Sequence, residues 1–333
     1  MDYALIWAAL IAIAVFAYVA LDGFDLGIAI LFPAFPEEKH RDVMMNAVAP
    51  VWDGNETWLV LGGGGLLAVF PLAYSVLLPA LYMPVIVMLL GLIFRGVAFE
   101  YRFKTRRAKF VWDVSFIVGS WAAAMSQGIM LGAILQGISV TGRQYSGGWF
   151  DWLTPFTIFC GLAVVVGYVL LGASWLIMKT HGEIQQRSYR YARIAAVILV
   201  LAIAAVSIYL PVVDETIAKR WFTFPASALF WSLPTLLAIV AVGLLRSLRK
   251  SQQGRPYLWS LGLFFIAFLG FSVSIFPYLV PHAITIWDAA APENSLKFLL
   301  VGAAFLIPII FAYTGYTYWV FRGKIDESSG YHD

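Results

Sequence analysis

Residues 4–32 read ALIWAALIAIAVFAYVALDGFDLGIAILF. Apolar side chains run without a break from Ala4 to Leu21, two acids follow at Asp22 and Asp25, and apolar residues resume through Phe32. A hydrocarbon core of ~30 Å takes about 20 apolar residues in helical form. This block is therefore long enough to span a bilayer, and it holds ionisable groups inside the span. It is too long for the apolar region of a secretory signal, and Met1 to Tyr3 carries no basic residue, so it is expected to remain as an anchor.

Outward from this block the same pattern repeats. Further apolar blocks lie at 54–74, 77–99, 111–136, 154–178, 191–211, 225–245, 257–280 and 298–321. The chain has 333 residues, of which 61% are apolar and 12% charged, against about 25% charged in soluble domains. Unbroken blocks of helical length exclude both a soluble globule and the alternating pattern of a membrane β-barrel. The expected fold is an all-α integral membrane protein with nine transmembrane helices. Low-complexity tails, linkers and internal repeats are missing, so residues 1–333 read as a single transmembrane domain.

Composition narrows the chemistry. A formal charge of +3, scattered along the chain, gives no nucleic-acid footprint. One cysteine, Cys160, rules out an internal disulfide and a cysteine-ligated zinc or iron–sulfur cluster. His40, His181, His282 and His332 fall in connections or just outside apolar blocks, which provides no pair of axial haem ligands at mid-membrane. The chain is expected to hold no metal and no redox centre of its own.

Positive charge sets the orientation. Alternate connections, at 33–53, 100–110, 179–190, 246–256 and 322–333, hold sixteen Lys and Arg residues. The opposite set holds four: Arg143, Lys219, Arg220 and Lys297. The N-terminus is expected outside and the C-terminus inside.

Ionisable residues within spans are costly and call for a partner or a purpose. Asp22 and Asp25, three apart, share one helix face. Gly23 and Gly27 beside them form a small-residue surface that admits a second backbone, although the acids also lie near enough to the inner interface to sit there without a role. Asp53 and Glu56 open the second helix, where capping would account for either one. Arg95 and Glu100 lie near the inner end of the third helix, and Asp113 starts the fourth. Carboxyls crowded in a low dielectric are suited to passing protons, and a structural ion pair to Arg95 is an equally good reading. The four glycines at 62–65 point to close helix packing or a bend. Trp149, Trp152, Trp221 and Trp319 near block ends fit an interfacial belt.

Several motifs in one order resemble a known family. They are Asp22-Gly-Phe-Asp-Leu-Gly27, Ala49-Pro-Val-Trp-Asp-Gly-Asn55 with Trp58, Phe94-Arg95 with Phe99-Glu-Tyr-Arg102, Phe276-Pro-Tyr-Leu-Val-Pro281, and Ile286-Trp-Asp-Ala289. Gly172-Ala173 with Gly182-Glu183, and Ile307-Pro-Ile-Ile310 with Tyr313 and Tyr318, add to them. From its first helix to its last, the chain resembles subunit II of the cytochrome bd-type quinol oxidases. That resemblance implies nine helices arranged as two four-helix bundles plus one extra helix. It also implies pseudo-symmetric pairing with a haem-bearing subunit I, in which quinol is oxidised and oxygen is reduced at haems of the b and d types. By the same resemblance this chain binds no haem, stabilises its partner and helps cytoplasmic protons reach the oxygen site in the bacterial inner membrane. Asp53 is then the leading proton-path residue, with Asp22, Asp25, Arg95 and Glu100 in support, Glu56 as an added titratable group, and Trp58 beside an oxygen channel. The family picture further allows a structural quinone or lipid and small single-helix accessory subunits.

Two departures stand out. Glu56 and Glu100 occupy positions where the family often has Gln and Asp, and the outer connection between helices six and seven is short, as in the cyanide-insensitive branch. A proton- or cation-coupled secondary transporter, with Asp22, Asp25 and Asp53 binding the ion, is the alternative. The glycine run of helix two has no counterpart in helix six, which weakens it.

Overall fold

The computed structural model describes residues 1–325 except 106, 225, 226, 228 and 229. His332, Arg106 and parts of the expected seventh span thus lie outside the described residues. The chain is helical nearly throughout: α1 (Tyr3–Leu31), the short α2 (Glu38–Asn46), α3 (Trp52–Val69), α4 (Pro71–Arg102), α5 (Lys109–Gln136), α6 (Pro155–Lys179) and α7 (Gly182–Val213). After them come α8 (Glu215–Phe222), α9 (Ser232–Arg249), α10 (Arg255–Ile275), the single turn α11 (Ile286–Ala289) and α12 (Glu293–Val320).

Among the described residues, eight helices are long and apolar enough to cross a membrane. The sequence led us to expect nine. The one that falls short is α3, whose first turns carry Asp53, Asn55, Glu56 and Thr57 and whose middle is four glycines. The break after it comes earlier than expected. Phe70 alone separates α3 from α4, because Pro71 fixes a helical first residue and pushes the residue before it out of the α region.

Helices α1, α3, α4 and α5 pack in a ring, and α6, α7, α9 and α10 pack in another. The two rings meet where α6 lies against α1 and α5. Small residues set these crossings. A Cβ on Gly27 would stand 1.8 Å from the Tyr168 carbonyl oxygen, and one on Gly91 would stand 2.5 Å from the carbonyl oxygen of Gly119. Only glycine lets these backbones touch. By contrast α12 leans mainly on α1 and α3, with Tyr318 reaching Trp175 of α6, and Phe298, Val301, Phe305 and Ile309 along it are exposed in this chain.

At one end, two hairpins (Val140–Thr141 with Gln144–Tyr145, and Tyr278–Val280 with Ile284–Thr285) and α8 fill the connections. The last connection is pinned to the first helix there, with the Trp7 indole donating to the Leu296 carbonyl at 3.0 Å and the Trp287 indole to Asp2 at 2.9 Å. Most of the Lys and Arg residues lie at the other end.

Candidate functional site

The two acids of α1 are fully buried, at 0% exposure each. Gly23 and Gly27 bring α6 close enough to seal their helix, with the Tyr168 ring and backbone lying against them. A carboxylate so placed needs hydrogen-bonded counter-charge. Arg95 of α4, itself fully buried, supplies it: Nη1 donates to Asp22 Oδ1 at 2.5 Å, and Nη2 donates to Glu56 Oε1 of α3. One guanidinium therefore ties α1, α3 and α4 together.

Asp25 is held by an amide instead. Asn55 Nδ2 donates to Asp25 Oδ2 at 2.8 Å and to the Leu21 carbonyl at 3.2 Å, and the Tyr318 hydroxyl of α12 donates to Asn55 Oδ1 at 2.9 Å. One turn before Asp22, the Tyr18 hydroxyl accepts from Gln127 Nε2 at 2.8 Å while Tyr168 donates to Gln127 Oε1. Phe24 stacks on Trp175 at 4.2 Å, and Tyr257 and Tyr318 meet that pair edge-on, closing the site with aromatic rings. Among the described residues, three polar atoms inside have no protein hydrogen-bond partner: Asp22 Oδ2, Asp25 Oδ1 and Arg95 Nε. The cluster thus sets three carboxyls against one guanidinium, with two carboxyl oxygens uncommitted.

Of the residues expected from sequence, Asp22, Asp25, Glu56 and Arg95 converge here. Asp53 is exposed in the first turn of α3 and does not cap it; Val51 is the N-cap residue, and the Trp52 amide already donates to the Val48 carbonyl in the preceding turn. Glu100 is also exposed and pairs with Lys104 at 3.3 Å, one turn along α4. Trp58 is buried at 1% exposure, packed with Ala14 and Tyr18 and 4.8 Å from the Phe311 ring, and among the described residues its indole nitrogen has no hydrogen-bond partner.

Asp113 belongs to a second ionic group. It accepts from Arg41 Nη1 at 2.9 Å and from Arg102 Nε at 2.5 Å, and Arg102 also donates to Asp42. Arg102 lies fully buried between the rings of Phe32 and Phe103. Lys109 completes the group by donating to Glu38 at 2.6 Å, which holds that carboxyl below its ordinary range. These contacts fasten α2 to the connection between α4 and α5.

Among the described residues, Glu37, His40 and Glu183 place three possible metal-ligand atoms within 4.8 Å of one another. Arg187 stands where a cation would, 4.0 Å from Glu37 and paired with Glu183. We assign no metal to this group. The imidazoles of His40, His181 and His282 sit in α2 or in connections at helix ends.

The sequence profile of the family described as cytochrome bd terminal oxidase subunit II matches residues 3–321. The chain belongs to that family. It is 27% identical to cytochrome bd-I ubiquinol oxidase subunit 2 of Escherichia coli (strain K12), over 97% of this chain and 95% of the relative. It is 29% identical to the probable cytochrome oxidase subunit 2 of Haemophilus influenzae, again over 97% and 95%. For cytochrome bd ubiquinol oxidase subunit 2 of Bacillus subtilis the figures are 28%, 97% and 96%. The fold matches a chain of the bd oxidase from Geobacillus thermodenitrificans with a TM-score of 0.75, covering 96% of this chain and 99% of that one at 16% identity. As a bd-type subunit II with eight helices long and apolar enough to cross a membrane among its described residues, the chain is an integral membrane component of a terminal oxidase complex. The transporter alternative falls with that membership.

Three partners of the bd subunit II cluster carried no role in the sequence reading. Asn55, Gln127 and Tyr318 are neutral, and each meets the cluster across a long sequence gap. Asn55 stood inside a quoted motif, three residues past Trp52. That was its only signal.

Proposed function

We propose that this chain is the haem-free subunit II of a quinol:oxygen oxidoreductase in the bacterial cytoplasmic membrane. In this reading a haem-bearing subunit I oxidises quinol and reduces oxygen, with haems of the b and d types supplying the redox chemistry. Subunit II braces that partner and delivers protons. We read nine spans, α3 among them, as a single domain of two four-helix bundles plus α12, with the N-terminus outside. The positions of the described imidazoles, in the short α2 or in connections at helix ends, support leaving the haems to the partner.

The observation that carries the proton role is the buried group of Asp22, Asp25, Glu56 and Arg95. Arg95 engages Asp22 and Glu56, so a proton can enter and leave Asp25 without breaking either ion pair. Asp53, exposed on the cation-rich side of the same helix, is the entry group, and Glu100 adds a second carboxyl at that surface. The hydroxyls of Tyr18, Tyr168 and Tyr318 extend the polar path beyond the acids. Trp58, against Phe311, lies beside an apolar passage for oxygen.

The test is Asp53→Asn in the whole complex. The expected outcome is a complex with its full haem absorbance and slowed quinol-dependent oxygen consumption. Normal turnover in an intact, haem-loaded variant removes Asp53 from the path. Loss of the haems assigns it a structural part.

A further inference from the structure

One furrow lies away from the acid cluster, between α9 and α10. Its wall on α9 is a single helical face: Ile239 and Val242 in the span, then Arg246 and Lys250 at the end of the helix. Its wall on α10 is Arg255 in the first turn and Trp259 one turn further in. The two walls enclose about 580 Å³. Trp259 lies so close to Gly243 that a Cβ there would stand 2.9 Å from the indole, which fixes the ring as a rigid side of the furrow.

The charge pattern is one-sided. Three cationic groups converge at the mouth, and none of the described lining residues is acidic. No hydrogen bond or ion pair to a described residue engages the side chains of Arg246, Lys250 or Arg255. The ion pairs of this chain's other surface cations, such as Lys104, Lys109 and Arg187, show that acids are within easy reach elsewhere. Above the mouth the furrow turns apolar, with Ile239 and Val242 open at 57% and 45% exposure. An occupant must therefore carry negative charge at the membrane surface and hydrocarbon below it. A free anion fits only the mouth, and a neutral lipid or quinone leaves the cations unmatched.

We propose that this furrow is a binding site for an anionic phospholipid, with the phosphate and headgroup held by Arg246, Lys250 and Arg255 and an acyl chain lying along Ile239, Val242 and Trp259. The basic mouth lies on the cation-rich side of the molecule, where the leaflet of a bacterial membrane is negatively charged. Three cations near that surface correspond to a preference of about 100-fold for an anionic over a zwitterionic headgroup.

Native mass spectrometry of the whole detergent-solubilised complex tests this. Dioleoyl phosphatidylglycerol and dioleoyl phosphatidylcholine are titrated in competition, with inorganic phosphate added in a separate series. Two variants are compared with the parent: R246Q/K250Q/R255Q, which removes the charge, and Val242→Trp, which fills the apolar furrow and leaves the charge in place. Phosphatidylglycerol is expected to stay bound to the parent at about 100-fold lower concentration than phosphatidylcholine, and to be lost from both variants while haem absorbance and subunit composition stay constant. Equal retention of the two lipids, or retention of phosphatidylglycerol by either variant, overturns the proposal. Displacement of the bound lipid by millimolar phosphate also overturns it, in favour of a site for free anions.

Discussion

Asp25 commits one oxygen to Asn55 and keeps the other uncommitted, and an asparagine in its place can still accept that hydrogen bond. Asp25→Asn is therefore expected to assemble with full haem content while oxygen consumption falls about 100-fold or more, the lower end of what positioned proton transfer contributes; a reduced-minus-oxidised spectrum and an oxygen electrode check both parts. Arg95 behaves differently because it serves two acids at once. Arg95→Gln strands Asp22 and Glu56, at a cost of about 3–5 kcal/mol for a broken buried pair, and should appear as loss of assembled complex. Arg95→Lys should rescue it poorly, since an ammonium cannot reproduce a planar fork. Asp22 and Asp25 were legible in the sequence from their spacing and their place inside an apolar block. Glu56 and Asp53 were not separable there, because three residues of helix decide which one faces Arg95 and only the packing of α3 on α1 and α4 sets that register.

Close crossings fix the elements. Gly27→Ala drives a methyl into the Tyr168 backbone, so α1 and α6 must move apart at a cost of about 1–3 kcal/mol. Gly63→Ala, whose Cβ meets nothing within 4 Å in this chain, should cost nothing of the kind. Thermal inactivation of the two variants measures the difference, and a Gly27→Ala variant as stable as Gly63→Ala would refute the packing account. The small-residue surface at Gly23 and Gly27 was readable from sequence, whereas its partner on α6 was not. Of the glycine run, Gly62 and Gly65 pack on Val15 and Ile11 of α1, so the packing reading holds for half of it. The early end of α3 had its signal in Pro71, which hydropathy alone overrides. The second ionic group, joining Arg102 and Asp113 to Arg41 and Asp42, stayed hidden because its members come from three separate segments.

At the scale of the whole molecule, the chain leaves one helix, α12, almost uncovered, and it buries Asp22 and Asp25 beside Arg95 and a set of neutral polar side chains. Both features fit a protein completed by a partner. Produced alone, the chain is expected to be colourless, and visible haem absorbance should appear only when the partner co-purifies; haem bound to this chain alone would contradict the assignment. The membrane class, the cation-rich side and the family were open to the sequence because they rest on counts and ordered motifs. Which acids meet was not, because it depends on helix neighbours that no local pattern encodes. The most direct measurement is proton uptake on an oxygen pulse by the fully reduced complex in proteoliposomes, parent against Asp25→Asn. Uptake is expected from the cation-rich side in the parent and at least ~100-fold slower in the variant with its haems intact. Equal uptake by the two would contradict that expectation.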